Sequence, residues 1–186
     1  DPSSILGISW VNRKSGQVAE SPDRPLVKDL DDLPLPGRDS INLEPYRSFM
    51  IDYRPAINLI TSRGCPHKCS YCVSSLIAGS VYRMRAVRNV VDEIEILLKE
   101  YGFGSIFFSD DNLTASPTRT RELCREIGRR GLHFRWWCMS RVDTLVKYEE
   151  MVREMAEAGC HQVFLGFESP KDHVLKLYNK KVKARD

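Results

Sequence analysis

Three of the chain's six cysteines fall within eight residues, Cys65-Pro66-His67-Lys68-Cys69-Ser70-Tyr71-Cys72. The spacing is CxxxCxxC, and it follows directly on the apolar run Ala56-Ile57-Asn58-Leu59-Ile60-Thr61. Thiolate is the usual protein ligand of an iron–sulfur cluster, and a closed electron-transfer cluster takes four of them. Three thiolates on one short loop can hold three irons of a 4Fe–4S cluster and leave the fourth iron free to bind a small molecule. The rival is a structural zinc completed by His67, Cys124, Cys138 or Cys160. Zinc sites of that type pair one CxxC with a second matching pair, which this sequence lacks. The spacing favours the cluster. By default Cys124, Cys138 and Cys160 read as small buried hydrophobes.

Such a loop needs a scaffold, and the surrounding sequence supplies a repeating strand–helix pattern. A first strand at Ile57–Thr61 leads through the cysteine loop to a helix at about Asn89–Tyr101. There Val90, Val91, Ile94, Leu97, Leu98 and Tyr101 recur at helical period, and Gly102 stands where a left-handed cap is wanted. A second strand at Ser105–Ser109 precedes a helix opened by Ser116-Pro117 and ended at Gly131. A third strand, Phe134–Met139, leads to a helix with Leu145, Tyr148, Met151, Val152 and Met155 inward and Gly159 at its end. The fourth strand, Gln162–Phe167, is followed by Ser169-Pro170 and a helix carrying Val174, Leu175 and Tyr178. Units of roughly 30 residues with this alternation predict an α/β fold with a parallel sheet.

Ahead of these units, Ile5–Val11 and Gln17–Ala19 flank a turn at Lys14-Ser15-Gly16 and predict a hairpin. From Ser21 to Pro36 the composition turns to Pro, Asp and Leu, which excludes helix interiors and central strands and predicts an extended connector. The expected division is a hairpin over 1–20, a linker over 21–54 and the core over 55–186. With a start at Asp1, within an expected strand, the chain is expected to be a piece of a longer protein.

The net charge of +3 in 186 residues is weak, and no interleaved aromatics accompany the arginine groups, which argues against nucleic acid as a partner. No apolar stretch approaches the roughly 20 residues of a membrane span, and no signal-peptide pattern opens the chain. Clustered thiols in an ordinary helix-and-strand composition point to a reducing cytoplasm and a metal site, not to disulfides.

Polar residues gather at the ends of the expected strands, where the loops of parallel α/β folds build their sites. They are the three-cysteine loop, Asp110-Asp111-Asn112, Ser140-Arg141-Val142-Asp143 and Glu168-Ser169. Each has a plainer reading. Asp111 or Asn112 can shape a turn, Arg141 can pair with Asp143, and Glu168 can complement a helix dipole with Ser169 as cap. His67 and Lys68 are expected to face outward.

From about Ala56 to its end, the chain resembles the radical S-adenosylmethionine (radical SAM) enzymes, whose signature is this cysteine motif. The resemblance implies a partial (β/α)6 barrel of which the first four units are present. It implies a 4Fe–4S cluster on Cys65, Cys69 and Cys72, with the amino and carboxylate groups of SAM chelating the open iron. One electron then cleaves a carbon–sulfur bond to give methionine and a 5′-deoxyadenosyl radical. A low-potential donor such as flavodoxin or ferredoxin is the implied electron source. By the same resemblance Tyr71 lies near the adenine, Glu168 hydrogen-bonds the ribose, and Arg141 pairs with the carboxylate. Asp110 and Asp111 stand where relatives carry a Gly-Gly-Glu stretch that takes the ammonium; this chain has aspartates and no glycine there.

The connector Arg24–Pro36, with Tyr82–Arg88 and Phe108–Leu113, resembles the cobalamin-dependent branch of that family, which includes methylases and the anaerobic cyclase of bacteriochlorophyll synthesis. Cobalamin is thereby implied for the full-length parent, since no DxHxxG cobalamin-ligand motif occurs in this chain. Methyl transfer to a small-molecule substrate is the first reading, and radical oxidative cyclisation the second. A methylthiotransferase is a third, weakened because residues 1–55 lack the further cluster cysteines of that class. A non-enzymatic electron-transfer module is the reading from a different class.

Overall fold

Alternating strands and helices order this chain as the periodicity requires. The computed structural model describes residues 1–46, 48–51 and 54–185; residues 47, 52 and 53 of the expected linker and 186 of the expected core lie outside the described residues. The hairpin consists of β1 (Ser9–Val11) and β2 (Val18–Glu20), antiparallel with Trp10 opposite Ala19. The chain then passes through single 3-10 turns at Leu30–Asp32, Arg38–Ser40 and Glu44–Tyr46 to β3 (Ser48–Ile51), β4 (Arg54–Leu59) and β5 (Ser62–Arg63). Next come α1 (Ser74–Ile77), β6 (Arg83–Met84), α2 (Val87–Lys99), β7 (Ser105–Phe108) and α3 (Pro117–Arg129). The remainder is β8 (Arg135–Ser140), α4 (Val142–Lys147), α5 (Glu149–Glu157), β9 (Cys160–Leu165) and α6 (Asp172–Leu177).

The main sheet has the order β3-β4-β7-β8-β9. β4, β7, β8 and β9 are parallel, as expected of four β/α units, and among the described residues the sheet ends at β9 without closing. α2 buries Val90, Val91, Ile94 and Leu97, all with no exposed surface, against Ile106 and Phe108 of β7 and Trp136 of β8. Each such side chain contributes on the order of 1.5–3 kcal/mol. Side chains alternate across a strand, so Phe107 and Trp137 point to the opposite face, where they stack with centroids 3.4 Å apart. Gly102 adopts φ 67°, and the Phe103 N–H turns back to the Leu97 carbonyl to close α2.

The structure corrects several expectations. The span 21–54 contains β3, which pairs antiparallel with β4. Nor is its first half a free connector. Leu30 is buried, Asp31 accepts from the Ala86 N–H at 2.7 Å, and Arg83 donates to the Val27 carbonyl at 2.6 Å. Arg38 reaches the buried Glu93 carboxylate at 2.6 Å, fastening this span to α2, and Arg85 takes its other oxygen at 2.5 Å. The third helix is broken at Tyr148 (φ −121°, ψ 60°) into α4 and α5. Ser169-Pro170 does not open α6, which starts at Asp172 with Lys171 as its N-cap. Among the described residues no helix is long and apolar enough to cross a membrane.

Candidate cluster and cofactor site

The cysteine loop leaves the sheet at the C-terminal end of β4, and its root is braced on three sides. β5 and β6 pair as a short ladder, Ser62 opposite Met84 and Arg63 opposite Arg83, closing the base of the excursion that runs from 64 to 82. Gly64, at φ 86°, lies so close to the Val81 carbonyl that a Cβ would collide with it. Asp110, just past β7, accepts from the Thr61 N–H (3.1 Å) and hydroxyl (2.8 Å) and from the Ser62 hydroxyl. Arg119 of α3 donates to the Thr61 hydroxyl and carbonyl, each at 3.1 Å, and to the Arg85 carbonyl at 3.0 Å. Thr61, Ser62, Asp110 and Arg119 are all buried. Burial pushes the Asp110 carboxyl above the ordinary carboxylate range, against the opposing pull of the Ser62 and Thr61 bonds and of Arg119.

Cys65, Cys69 and Cys72 are free and partly exposed on the loop so held. Cys65 donates its N–H to the Gly79 carbonyl (3.3 Å) and Cys72 to that of Cys69 (3.1 Å). Burial raises the Cys65 thiol; the His67 N–H opposes this, and Asp111 and the other two loop thiols raise it further. The donor set suits an iron–sulfur cluster: three unoxidised thiols on one loop, with the Arg141 guanidinium 3.9 Å from Cys69 Sγ. The sulfurs are not drawn into a shared geometry; among the described residues no three His, Cys, Asp or Glu side chains are grouped to hold one metal ion. Lys68 is exposed as expected, but His67 is half-buried, and burial lowers its pKa.

The remaining sequence-nominated residues divide. Asp111 is half-buried and its charge helps raise the Cys65 thiol, whereas Asp110 is turned into the loop root with both carboxylate oxygens engaged there. Arg141, at the end of β8, forms a bidentate pair with Asp143 (3.0 and 3.1 Å) while still reaching Cys69. Past β9, Glu168 accepts from the Tyr71 hydroxyl at 2.9 Å, so a cluster-loop residue and a β9-end residue meet directly. Lys180 holds its neighbour Glu168 below the ordinary carboxylate range. Burial, followed by the bond to Glu168, raises the Tyr71 phenol.

Sequence reasoning missed four groups here: Thr61 and Ser62, Arg119, Asn179 and Lys180. Lys180 is buried and donates to both Tyr71 Oη and Glu168 Oε1, each at 2.9 Å. Asn179 Nδ2 donates to the Lys68 carbonyl at 2.7 Å. In sequence they fall in Asn179-Lys180-Lys181, next to further lysines, a composition that reads as a solvated tail.

The Radical SAM superfamily pattern matches residues 59–186. An uncharacterized methyltransferase of Pyrococcus horikoshii is 36% identical over 176 residues, covering 95% of this chain and 37% of that protein. The anaerobic magnesium-protoporphyrin IX monomethyl ester cyclase of Rubrivivax gelatinosus is 31% identical over 180 residues, 97% of this chain and 32% of the cyclase. The chain thus spans about a third of the length of these curated relatives. Among solved structures, the radical S-adenosylmethionine methyltransferase TsrM from Kitasatospora setae, with cobalamin and a [4Fe-4S] cluster bound, superposes with a TM-score of 0.65 at 27% identity. The match covers 76% of this chain and 27% of TsrM. The cysteine loop at the end of the first parallel strand, the four parallel strands behind it and the match over 59–186 together place the chain in the Radical SAM superfamily.

Proposed function

We propose that this chain is the cluster- and SAM-binding part of an enzyme that cleaves S-adenosylmethionine reductively, in a cobalamin-dependent methyltransferase. Cys65, Cys69 and Cys72 would hold a 4Fe–4S cluster, which supplies the single electron for carbon–sulfur cleavage. The observation that carries this reading is the meeting of the CxxxCxxC loop with the ends of the other strands. Tyr71 bonds Glu168, and Arg141 reaches Cys69. Glu168 can accept from ribose hydroxyls, Tyr71 offers an aromatic face to adenine, and Asp111 can accept from the ammonium. Arg141 can take the carboxylate only by loosening its bond to Asp143, since its fork is otherwise engaged. Asp110 serves at one remove, by fixing Thr61 and Ser62 at the loop root.

Methyl transfer is preferred because TsrM and the Pyrococcus relative carry that description. The second reading is radical oxidative cyclisation, favoured by the Rubrivivax cyclase at 31% identity. Either chemistry takes a small-molecule substrate and a low-potential electron donor. Replacing any one of Cys65, Cys69 or Cys72 by alanine tests the reading. Anaerobically reconstituted variants should lose SAM cleavage with the far-ultraviolet circular dichroism unchanged, and retained cleavage in any of the three contradicts it.

A further inference from the structure

The residues with left-handed backbone but no glycine are three: Glu168 (φ 61°), Asn179 (φ 51°) and Lys181 (φ 55°) among the described residues. Such backbone strain persists only where surrounding contacts impose it, and it gathers at functional sites. Here the contacts lead to the cluster loop. The Ser70 N–H and hydroxyl donate to the Tyr178 and Leu177 carbonyls at 3.0 and 3.1 Å, and the Asn179 amide to Lys68. Tyr71 packs edge-on against Tyr178 with centroids 5.1 Å apart. The Lys180 carbonyl accepts from Arg141 at 2.5 Å. The strained turn after α6 is therefore stitched to the cluster loop, and it delivers one buried cation to the loop's edge.

Lys180 Nζ bonds Tyr71 Oη and Glu168 Oε1, and Tyr71 Oη also bonds Glu168 Oε1, so the three groups close a triangle with 2.9 Å sides. Lys180 is 4% exposed, while the Glu168 side chain keeps 30% of its surface open. Both bonds to the carboxylate land on Oε1, which leaves Oε2 as an acceptor. A buried ammonium is strongly unfavourable unless paired, so Lys180 fixes the Glu168 rotamer and keeps it ionised. The pair is together neutral and does not repel a sulfonium. Gly166 leaves room for it: a Cβ there would lie 2.7 Å from Lys180 Nζ and 2.6 Å from Glu168 Oε1.

We propose that Lys180 is a positioning residue of the nucleoside subsite, acting through Glu168 to aim a carboxylate oxygen at the ribose hydroxyls of S-adenosylmethionine. This rests on the SAM-binding reading above.

A ligand cycle in the full-length protein tests it. Dissociation constants of S-adenosylmethionine and its 2′,3′-dideoxy analogue are measured anaerobically for wild type and Lys180→Met, with iron content and melting temperature recorded for each. Wild type should prefer the hydroxylated ligand by about tenfold. In Lys180→Met that preference should collapse, with the dideoxy ligand bound almost as well as by wild type. Gly166→Ala should give the same collapse with all three side chains chemically intact, and it carries the test if Lys180→Met does not fold. A preference retained in the folded variants, or an equal loss for both ligands, overturns the role of Lys180. A wild-type protein that holds iron and binds neither ligand overturns the SAM-binding reading, and this proposal with it.

Discussion

The Asp110 carboxylate accepts from both the N–H and the hydroxyl of Thr61, 49 residues earlier, and is itself fully buried. The contact joins the end of β7 to the point where the chain leaves β4 for the cysteine loop. Asp110→Ala would strand the Thr61 N–H and both hydroxyls at the loop root without an acceptor. Hydrogen bonds to charged groups contribute about 1.5–3 kcal/mol each, so the variant should lose about 3 kcal/mol in urea denaturation. Loss of less than about 0.5 kcal/mol, the range of ordinary surface changes, would mean that Asp110 does not brace the loop.

Acid should loosen the packing of α3 on α5. Glu154 accepts from Arg121 (two bonds at 2.9 Å) and from Arg125 (2.9 Å), which lowers its pKa to about 2. A carboxylate with a depressed folded pKa contributes stability above its unfolded value, and that contribution is lost as pH falls through the folded one. The window here runs from the ordinary glutamate value of 4.5 down to about 2. Because these groups are accessible to solvent, salt should shrink the effect. Denaturant midpoints at pH 5 and pH 3 should fall further for wild type than for Glu154→Gln in low salt, and equal falls would remove the pair from the acid response.

Removing the charge at the end of β9 should act on binding. Glu168→Gln keeps the shape but weakens acceptance from a ribose hydroxyl, and it should weaken SAM binding by about 1–3 kcal/mol. Equilibrium binding to the reduced, cluster-loaded protein is the measurement. Unchanged affinity would confine Glu168 to holding Lys180 and Tyr71 in place.

Much of this scaffold was legible because its signals are local. Val90, Val91, Ile94 and Leu97 recur at helical period and are all buried, and Gly102 takes the left-handed turn its place demands. What stayed hidden depends on partners distant in sequence. Ser48–Ile51 offers only four residues and becomes a strand through pairing with β4. The break at Tyr148 falls inside a continuous apolar repeat, Leu145, Tyr148, Met151, Val152 and Met155, so periodicity passes straight over it. In the site, the cysteine spacing is self-contained and could be read directly. Lys180 sits in a charged run, and nothing nearby in sequence reveals that Tyr71, 109 residues away, accepts a hydrogen bond from it. Asp110 is likewise an acidic turn residue until Thr61 and Ser62 fold beneath it.

The account depends on a cluster whose fourth iron takes S-adenosylmethionine, and electron paramagnetic resonance reads that directly. The anaerobically reconstituted, reduced full-length protein should give the signal of a reduced 4Fe–4S cluster, and that signal should change when S-adenosylmethionine is added. A spectrum unaltered by saturating S-adenosylmethionine would contradict the account and make the loop the seat of an electron carrier.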